Sequence, residues 1–427
     1  MARKMKDSGI EWIGEIPEGW EVSQLKYATR WKSEKGCPDA PVLSLYRDFG
    51  VVPKDSRDDN HNVTSLDTSN YKVVDIGDLV INKMKAWQGS MAVSDYRGIV
   101  SPAYHVCSIT SNKVNKRYLH HLLRNPAYLP EYARLSTGMR IGQWDLGFDD
   151  FKNIPFLIPP LDEQAKIADY LDNGCASLDA MLSKTRSSIE EYKKLKQAVI
   201  TQTVTKGVRG EREMKDSGNP WFGQIPTDWK LSRVGLHFSI ILGKMLCNAP
   251  LNDTYTLEPY YCAADVHFDG VADGERKKMW FSPIEKDLYR VSVGDLLVVE
   301  GGAGAGGSAI VENQDSYTYI QNSIMIVRSK GNTDNRYLRY LLEFLVKQGY
   351  IDIVCNKATI PHFTKDKLSC VPFCLCPTGE QKEIADYLDA KCAEIDKLIA
   401  KKEQLVKELE SYKKSLIYEV VTGKREV

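Results

Sequence analysis

Two short stretches combine cations, amides and an indole at spacings suited to reading a nucleic acid. In Asn82-Lys83-Met84-Lys85-Ala86-Trp87-Gln88-Gly89-Ser90, Lys83 and Lys85 can neutralise phosphates and Trp87 offers a stacking plane. Gln88 can make paired hydrogen bonds to a base edge. Met139-Arg140-Ile141-Gly142-Gln143-Trp144-Asp145 repeats the theme, with Arg140, Gln143 and Trp144 in a loop flanked by glycine. Either stretch alone would pass for a solvated surface loop. Together they describe a polar, partly basic reading surface. Further along, Asn322 and the run Asn356-Lys357-Ala358-Thr359-Ile360-Pro361-His362 occupy comparable places, and Lys357, Thr359 and His362 are the candidates there.

Other chemistries find less footing. Gly302, Gly304 and Gly307 satisfy the GxGxxG spacing after the strand-like DLLVVE, but a dinucleotide site needs a helix next, and SAIVEN reads as another strand. Cys370, Cys374 and Cys376 lie in the apolar run SCVPFCLCP, where cysteine serves as a small hydrophobe, and only His362 is near enough to complete a zinc set. The chain contains no Walker P-loop, HExxH, GxSxG or zinc-finger spacing. An Asn/Asp-Pro-Pro-aromatic tetrapeptide of adenine methyltransferases is absent too; Ile158-Pro159-Pro160-Leu161 comes nearest. No catalytic residue and no metal ligand is expected in this chain.

The elements that hold these loops are written twice. MKDSGIEWIGEIPEGW from Met5 returns as MKDSGNPWFGQIPTDW from Met214, pairing Trp12, Pro17 and Trp20 with Trp221, Pro226 and Trp229. IGDLVI (Gly77, Asp78) returns as VGDLLV (Gly294, Asp295), and NKRYLHHLL as DNRYLRYLL. DEQAKIADYLDNGCASLDAML from Asp162 aligns with GEQKEIADYLDAKCAEIDKLI from Gly379. The chain is a tandem duplication of a globular segment followed by a long helix. Val-, Ile- and Tyr-rich runs (VLSLY, DLVIN, AYHVC; YYCAAD, DLLVVE, IMIVR) predict strands, and RYLHHLLRNPAYLPEYARL and RYLRYLLEFLVKQG predict helices. The fold class is therefore α+β.

The closing segments carry a helical seam. Leu388, Ile395, Leu398, Leu405, Leu409, Tyr412 and Leu416 recur at three- and four-residue steps or their multiples, as do Leu171, Leu178, Met181, Tyr192, Leu195 and Val199. Each helix should run roughly 40–45 residues, and the two seams should pack on each other as a coiled coil. The expected domains are 1–158, 159–208, 209–376 and 377–427: globular, helical, globular, helical.

Composition fits a soluble protein. The 427 residues carry 57 Lys+Arg against 57 Asp+Glu, with 43% hydrophobic and 27% charged side chains. Scattered cysteines, the lack of a signal-peptide core and the lack of any apolar run near the roughly 18 residues of a membrane span all predict a cytoplasmic location and no membrane partner. Zero net charge leaves no overall excess of cations for DNA, so local patches or basic partners must supply it.

EWIGEIPEGWEVSQLKY, IPPLDEQAKIADYLD and their second copies resemble the specificity subunit of type I restriction-modification systems, over essentially the whole chain. The most specific marker is Pro159-Pro160-Leu161 followed by Glu163-Gln164 and Ile167-Ala168. The second copy departs from it at Cys376-Pro377-Thr378-Gly379-Glu380-Gln381, losing one Pro and the Leu. The resemblance implies two target-recognition domains joined by two antiparallel helices, each domain reading half of an asymmetric bipartite site in double-stranded DNA. It implies two methyltransferase subunits docked along the helices, for which Glu163, Gln164, Ile167, Tyr170, Leu171, Glu380, Gln381, Ile384, Tyr387 and Leu388 are the candidate docking and spacer residues. Motor-nuclease subunits complete the assembly. S-adenosylmethionine, ATP and Mg belong to those partners, and this chain carries no cofactor. Reading one side of the duplex would place half-sites about one helical turn apart, roughly 10 base pairs. A coiled-coil scaffold that binds only proteins is the alternative.

Overall fold

The computed structural model describes residues 3–47, 49–56, 64–65, 67–138, 144–313, 317–355 and 361–427. The chain divides into two compact units, one of Met1–Ser187 with Glu403–Val427, the other of Ser188–Lys402. Each unit therefore holds one globular portion together with part of each long helix.

In the first unit β1 (Glu21–Gln24), β2 (Thr29–Lys32), β3 (Leu79–Asn82), β4 (Met91–Val93) and β5 (Tyr104–Ile109) precede α1 (Lys116–Leu123), β6 (Pro155–Ile158) and α2 (Leu161–Lys206). Four strands form an antiparallel sheet in the order β2-β5-β3-β4, with Cys107 opposite Trp31, His105 opposite Ile81 and Val80 opposite Ala92. β6 pairs with β1 beside it. The RYLHHLLRNPAYLPEYARL segment is not one helix. Pro126 lacks an N–H and its preceding residue avoids helical ψ, so α1 stops, Asn125 caps a short turn through Ala127 N–H, and a second helix runs Leu129–Leu135.

The second unit repeats the plan with β7 (Lys230–Arg233), β8 (Phe238–Leu242), β9 (Leu296–Val299), β10 (Ser308–Ile310), β11 (Ile324–Ser329), α3 (Asn335–Lys347), β12 (Pro372–Leu375) and α4 (Thr378–Val421). Its sheet runs β8-β11-β9-β10, the same order, and β12 pairs with β7. Additions differ: a three-stranded sheet of Lys277–Phe281, Thr256–Tyr261 and Tyr319–Ile320 exists only here among the described residues. Cys374 and Cys376 are buried in the core of this unit while Cys370 is exposed.

What the duplication repeats is a polar framework. Gly77 and Gly294 both sit at φ +88°, a left-handed turn that glycine adopts without a Cβ clash. The next residue, Asp78 or Asp295, is buried and accepts the backbone N–H of Asp75 or Ser292. The counter-cation comes from a different strand in each copy, Lys32 of β2 and Arg328 of β11. Asn115 and Asp334 cap α1 and α3 with their side chains.

α2 is 46 residues long and α4 is 44. Within the first unit they run antiparallel: Asp179 meets Lys413 at 2.6 Å and Arg186 meets Glu410 at 2.5 Å. Within the second, Lys196 meets Asp396 at 2.6 Å and the Lys402 ammonium lies 5.6 Å from the Tyr192 ring. The seam differs in detail from the expected one. Met181, Leu195, Leu405 and Tyr412 are exposed. In α2 the buried apolar row includes Ile167, Leu171, Leu178, Leu182, Ile189 and Ile200, several of them eleven residues apart, a period nearer 3.67 than 3.5 residues per turn. In α4 the inward row passes through half-buried Lys402, Val406, Leu409 and Lys413. Lysine stems can line such a row while their ammonium groups reach its edge.

Candidate nucleic-acid interface

β3 and β4 are joined by the loop that holds the first candidates. Its centre is a tight turn over Ala86–Gln88, closed by Gly89 at φ +82°. Lys85 and Met84 project into solvent, while Trp87 and Gln88 are half-buried. The Trp87 ring packs against Trp144 with centroids 5.0 Å apart, tilted by 58°. Lys83 Nζ lies 2.8 Å from Asp145 Oδ2, and its carbonyl accepts the Leu146 N–H at 3.0 Å. Lys83, Lys85, Trp87, Gln88 and Trp144 are therefore brought together. Arg140 and Gln143 lie outside the described residues.

Behind this loop is a cluster that the sequence analysis missed. Trp31 of β2, 39% exposed, packs 4.9 Å from His105 and 4.4 Å from Phe148. The Lys72 ammonium sits 5.2 Å from the Trp31 ring and donates to the Tyr104 carbonyl at 2.6 Å. Burial, with Lys83 and Lys35 nearby, lowers the Lys72 pKa, and burial likewise lowers that of His105. Trp87 Nε1, Asp145 Oδ1 and His105 Nδ1 are buried polar atoms with no partner among the described residues. Native proteins rarely leave such atoms unpaired. The sequence held one clue: Trp31 between Arg30 and Lys32, an aromatic flanked by cations.

In the second unit the Gly301–Gly307 loop takes the corresponding place between β9 and β10. The chain enters a strand after it, not a helix, so the geometry of a dinucleotide-binding turn is absent here. The loop packs on the segment at His362: Gly302 N–H donates to the Pro361 carbonyl at 3.1 Å, and Gly301 bridges His362. His362 Nδ1 lies 3.3 Å from Glu300 Oε2. Asn322 is one residue from Ser323, whose carbonyl accepts the Glu300 N–H at 2.8 Å. Asn322 and His362 thus flank one loop. Lys357 and Thr359 lie outside the described residues.

Most of the helix residues expected to meet a partner are turned inward instead. Gln164, Ile167, Leu171, Glu380, Gln381, Ile384 and Leu388 are buried. Glu163 Oε2 accepts the Trp20 indole N–H at 3.0 Å and pairs with Arg3 at 2.6 Å; Glu380 does the same with Trp229 at 3.1 Å and with Arg212. Gln164 accepts the Asn115 N–H at 2.7 Å and donates to the Lys113 and Pro159 carbonyls, and Gln381 accepts the Asp334 N–H and donates to the Cys376 carbonyl. These contacts fasten each helix start to its own globular portion. Burial removes the seven from any direct docking surface. Tyr170 and Tyr387, 37% and 41% exposed, are the members of the set that a partner could touch.

The family model for the type I restriction modification DNA specificity domain matches residues 17–191 and 227–408. This chain belongs to that family. A Methanocaldococcus jannaschii protein provisionally named type I restriction enzyme MjaX specificity subunit is 26% identical over 96% of this chain and 95% of its own length. The solved HsdS subunit from Thermoanaerobacter tengcongensis has the same fold, with a TM-score of 0.55 at 17% identity, covering 96% of this chain and 98% of that one. A chain from a study of assembly and conformational transition of the type I R-M system reaches a TM-score of 0.71, also at 17% identity, over 96% of this chain and 99% of that one. As a type I specificity subunit, this chain recognises a DNA sequence and is not itself an enzyme. The scaffold alternative finds no support in these relatives. Among the described residues no helix is long and apolar enough to cross a membrane.

Proposed function

We propose that each unit reads one half of an asymmetric bipartite DNA site through the β3–β4 or β9–β10 loop and the segment beside it, and that the paired helices set the half-site separation. Two methyltransferase subunits dock on this chain, with Tyr170 and Tyr387 on the docking face, and motor-nuclease subunits complete the complex. S-adenosylmethionine, ATP and Mg act in those partners. One observation carries the reading: two sheets of identical strand order hold loops of unrelated sequence at the same connection. A shared frame with diverged loops is what two different half-sites require.

The test is methylome mapping with the reconstituted complex. Gln88→Ala should relax one base position of one half-site, at a cost of about 1–3 kcal/mol if the amide is bidentate. Lys85→Ala should weaken binding evenly across sequences and lower the salt slope by about 1. An even loss from Gln88→Ala would demote that amide to backbone contact. Deleting a heptad from both helices should change the spacing recognised; an unchanged motif would refute the spacer role.

A further inference from the structure

A lysine–aspartate ion pair and a glutamate–histidine contact beside the loops occupy the same place in the duplication. Lys83 and Asp145 stand 217 residues before Glu300 and His362. The backbone frame around them is the same: Leu146 N–H donates to the Lys83 carbonyl at 3.0 Å, and Phe363 N–H donates to the Glu300 carbonyl at 2.6 Å. In both units the first residue directly follows the strand that enters the reading loop, and the second precedes a buried apolar anchor, Leu146 or Phe363. The side chains pair in both, at 2.8 Å and 3.3 Å. Their polarity is reversed. In the first unit the cation stands on the hairpin and the carboxylate across from it; in the second the carboxylate is on the hairpin and the imidazole opposite.

Folding alone does not account for this. All four side chains keep some access to water, and such pairs contribute little to stability. At the 217-residue offset, Lys83–Gly89 and Glu300–Gly306 share only one alanine (Ala86, Ala303) and one glycine (Gly89, Gly306). Donor–acceptor complementarity has outlasted the identity of the side chains, which is expected when the link between two segments matters more than either residue.

We propose that Lys83–Asp145 and Glu300–His362 are one latch, present in both units with opposite polarity, that fixes the hairpin loop against the segment beside it and so sets the register in which that unit reads its half-site. The four are positioning residues for specificity. This inference rests on reading these loops as the DNA surface. In the second unit the latch is reinforced from behind, because the His362 carbonyl accepts from Lys367 Nζ at 2.7 Å and from Cys355 Sγ at 3.2 Å. In the first, the Trp87–Trp144 contact takes that part.

The experiment is a charge-reversal cycle in the full complex, read by methylome mapping and by binding to the native duplex. Lys83→Glu or Asp145→Lys alone sets like charges face to face, and each should cost roughly five- to tenfold in affinity and blur the first half-site only. The double variant Lys83→Glu with Asp145→Lys restores a pair of the second unit's polarity and should return to within about twofold of the parent. Lys83→Arg, which keeps the pair, should leave the motif intact. Parallel losses from His362→Asp, but not His362→Lys, should appear in the second half-site. The half-site read by the untouched unit reports folding in every variant. Blurring by the single variants without rescue in the double overturns the latch and makes Lys83 and Asp145 independent DNA contacts. Single variants with no effect on either readout remove these loops from the DNA surface, and the latch with them.

Discussion

Glu380 and Glu163 hold equivalent indoles, yet their surroundings predict unequal consequences for the same substitution. The Glu380 carboxylate is fully buried, accepts the Trp229 N–H at 3.1 Å and pairs with Arg212, which lies over the Trp229 ring at 5.2 Å. Glu380→Gln keeps the size and one acceptor for the indole but removes the charge. Arg212, 18% exposed, then retains only Asp228 at 3.8 Å as a carboxylate partner, with the Lys206 carbonyl at 3.2 Å. Breaking a buried pair by removing one charge costs about 3–5 kcal/mol. Glu163 and Arg3 are 20% and 27% exposed, so water can take over part of the lost interaction and Glu163→Gln should cost about 1 kcal/mol. The gap of about 2–4 kcal/mol corresponds to roughly thirtyfold or more in local opening. Hydrogen exchange on the full chain reads it directly: amides of β7, β12 and α3 should lose far more protection in Glu380→Gln than those of β1, β6 and α1 do in Glu163→Gln. Equal losses, or a larger one in the first unit, would mean that burial of the charge does not govern the knot.

Two further outcomes follow from the same frame. Gln164→Ala removes three hydrogen bonds, the one to the Pro159 carbonyl buried and those to the Asn115 N–H and the Lys113 carbonyl part-buried, so it should destabilise the first unit by about 3 kcal/mol in denaturant titrations, well beyond the effect of Tyr170→Ala. Acid should also loosen that unit before the second. His120 Nδ1 accepts the Val93 N–H at 3.3 Å, and burial, with Arg124 and His121 adjacent, holds its pKa down to about 3. The unfolded chain takes up a proton near pH 6.5 that the folded one refuses, so stability falls from about pH 6.5 toward 3 by up to about 1.4 kcal/mol per unit. Asp172, drawn down to about 2 by its hydrogen bond to His121 and by Arg117, loses its own contribution only below about pH 4. His120→Gln should flatten the upper part of that profile, measured as urea midpoints against pH; an unchanged slope would assign the proton uptake elsewhere.

Repetition made most of the frame legible. MKDSG…W, GDL and EQ…IADYLD each mark a buried polar contact that both copies need, because a buried indole N–H, turn carboxylate or amide must find its partner wherever the chain places it. The resemblance says less about surface. Glu163-Gln164 and Glu380-Gln381, which it offers as docking and spacer residues, tie each helix to its own globular portion. The seam was misplaced at Leu405 and Tyr412 because apolar identity alone does not tell which of two adjacent positions faces inward when lysine stems share the row. The Trp31–His105–Lys72 cluster escaped notice since its members come from three separate segments, and only strand pairing gathers them. Lys83–Asp145 and Glu300–His362 were invisible as pairs for the same reason.

The pairing of cations at the reading loops bears on how a chain with no net charge holds a polyanion. Lys83 is engaged by Asp145, and Lys72 is turned to the Tyr104 carbonyl. Lys32 is committed to Asp75 and Asp78, and Arg328 to Asp295. Of the cations named at the first loop, Lys85 alone among the described residues projects into solvent without an ion pair. Each phosphate neutralised contributes about 0.9 to the slope of log affinity against log salt. A chain offering one or two uncommitted cations per loop should therefore show a shallow slope by itself, on the order of 2–4, and a markedly steeper one in the complex with its partner subunits. Titration of the same duplex with the chain alone and with the assembled complex separates the contributions. A steep slope for the chain alone would mean that the ion pairs open on DNA and release their lysines to phosphate, which would also remove the reason for the latch to keep its complementarity.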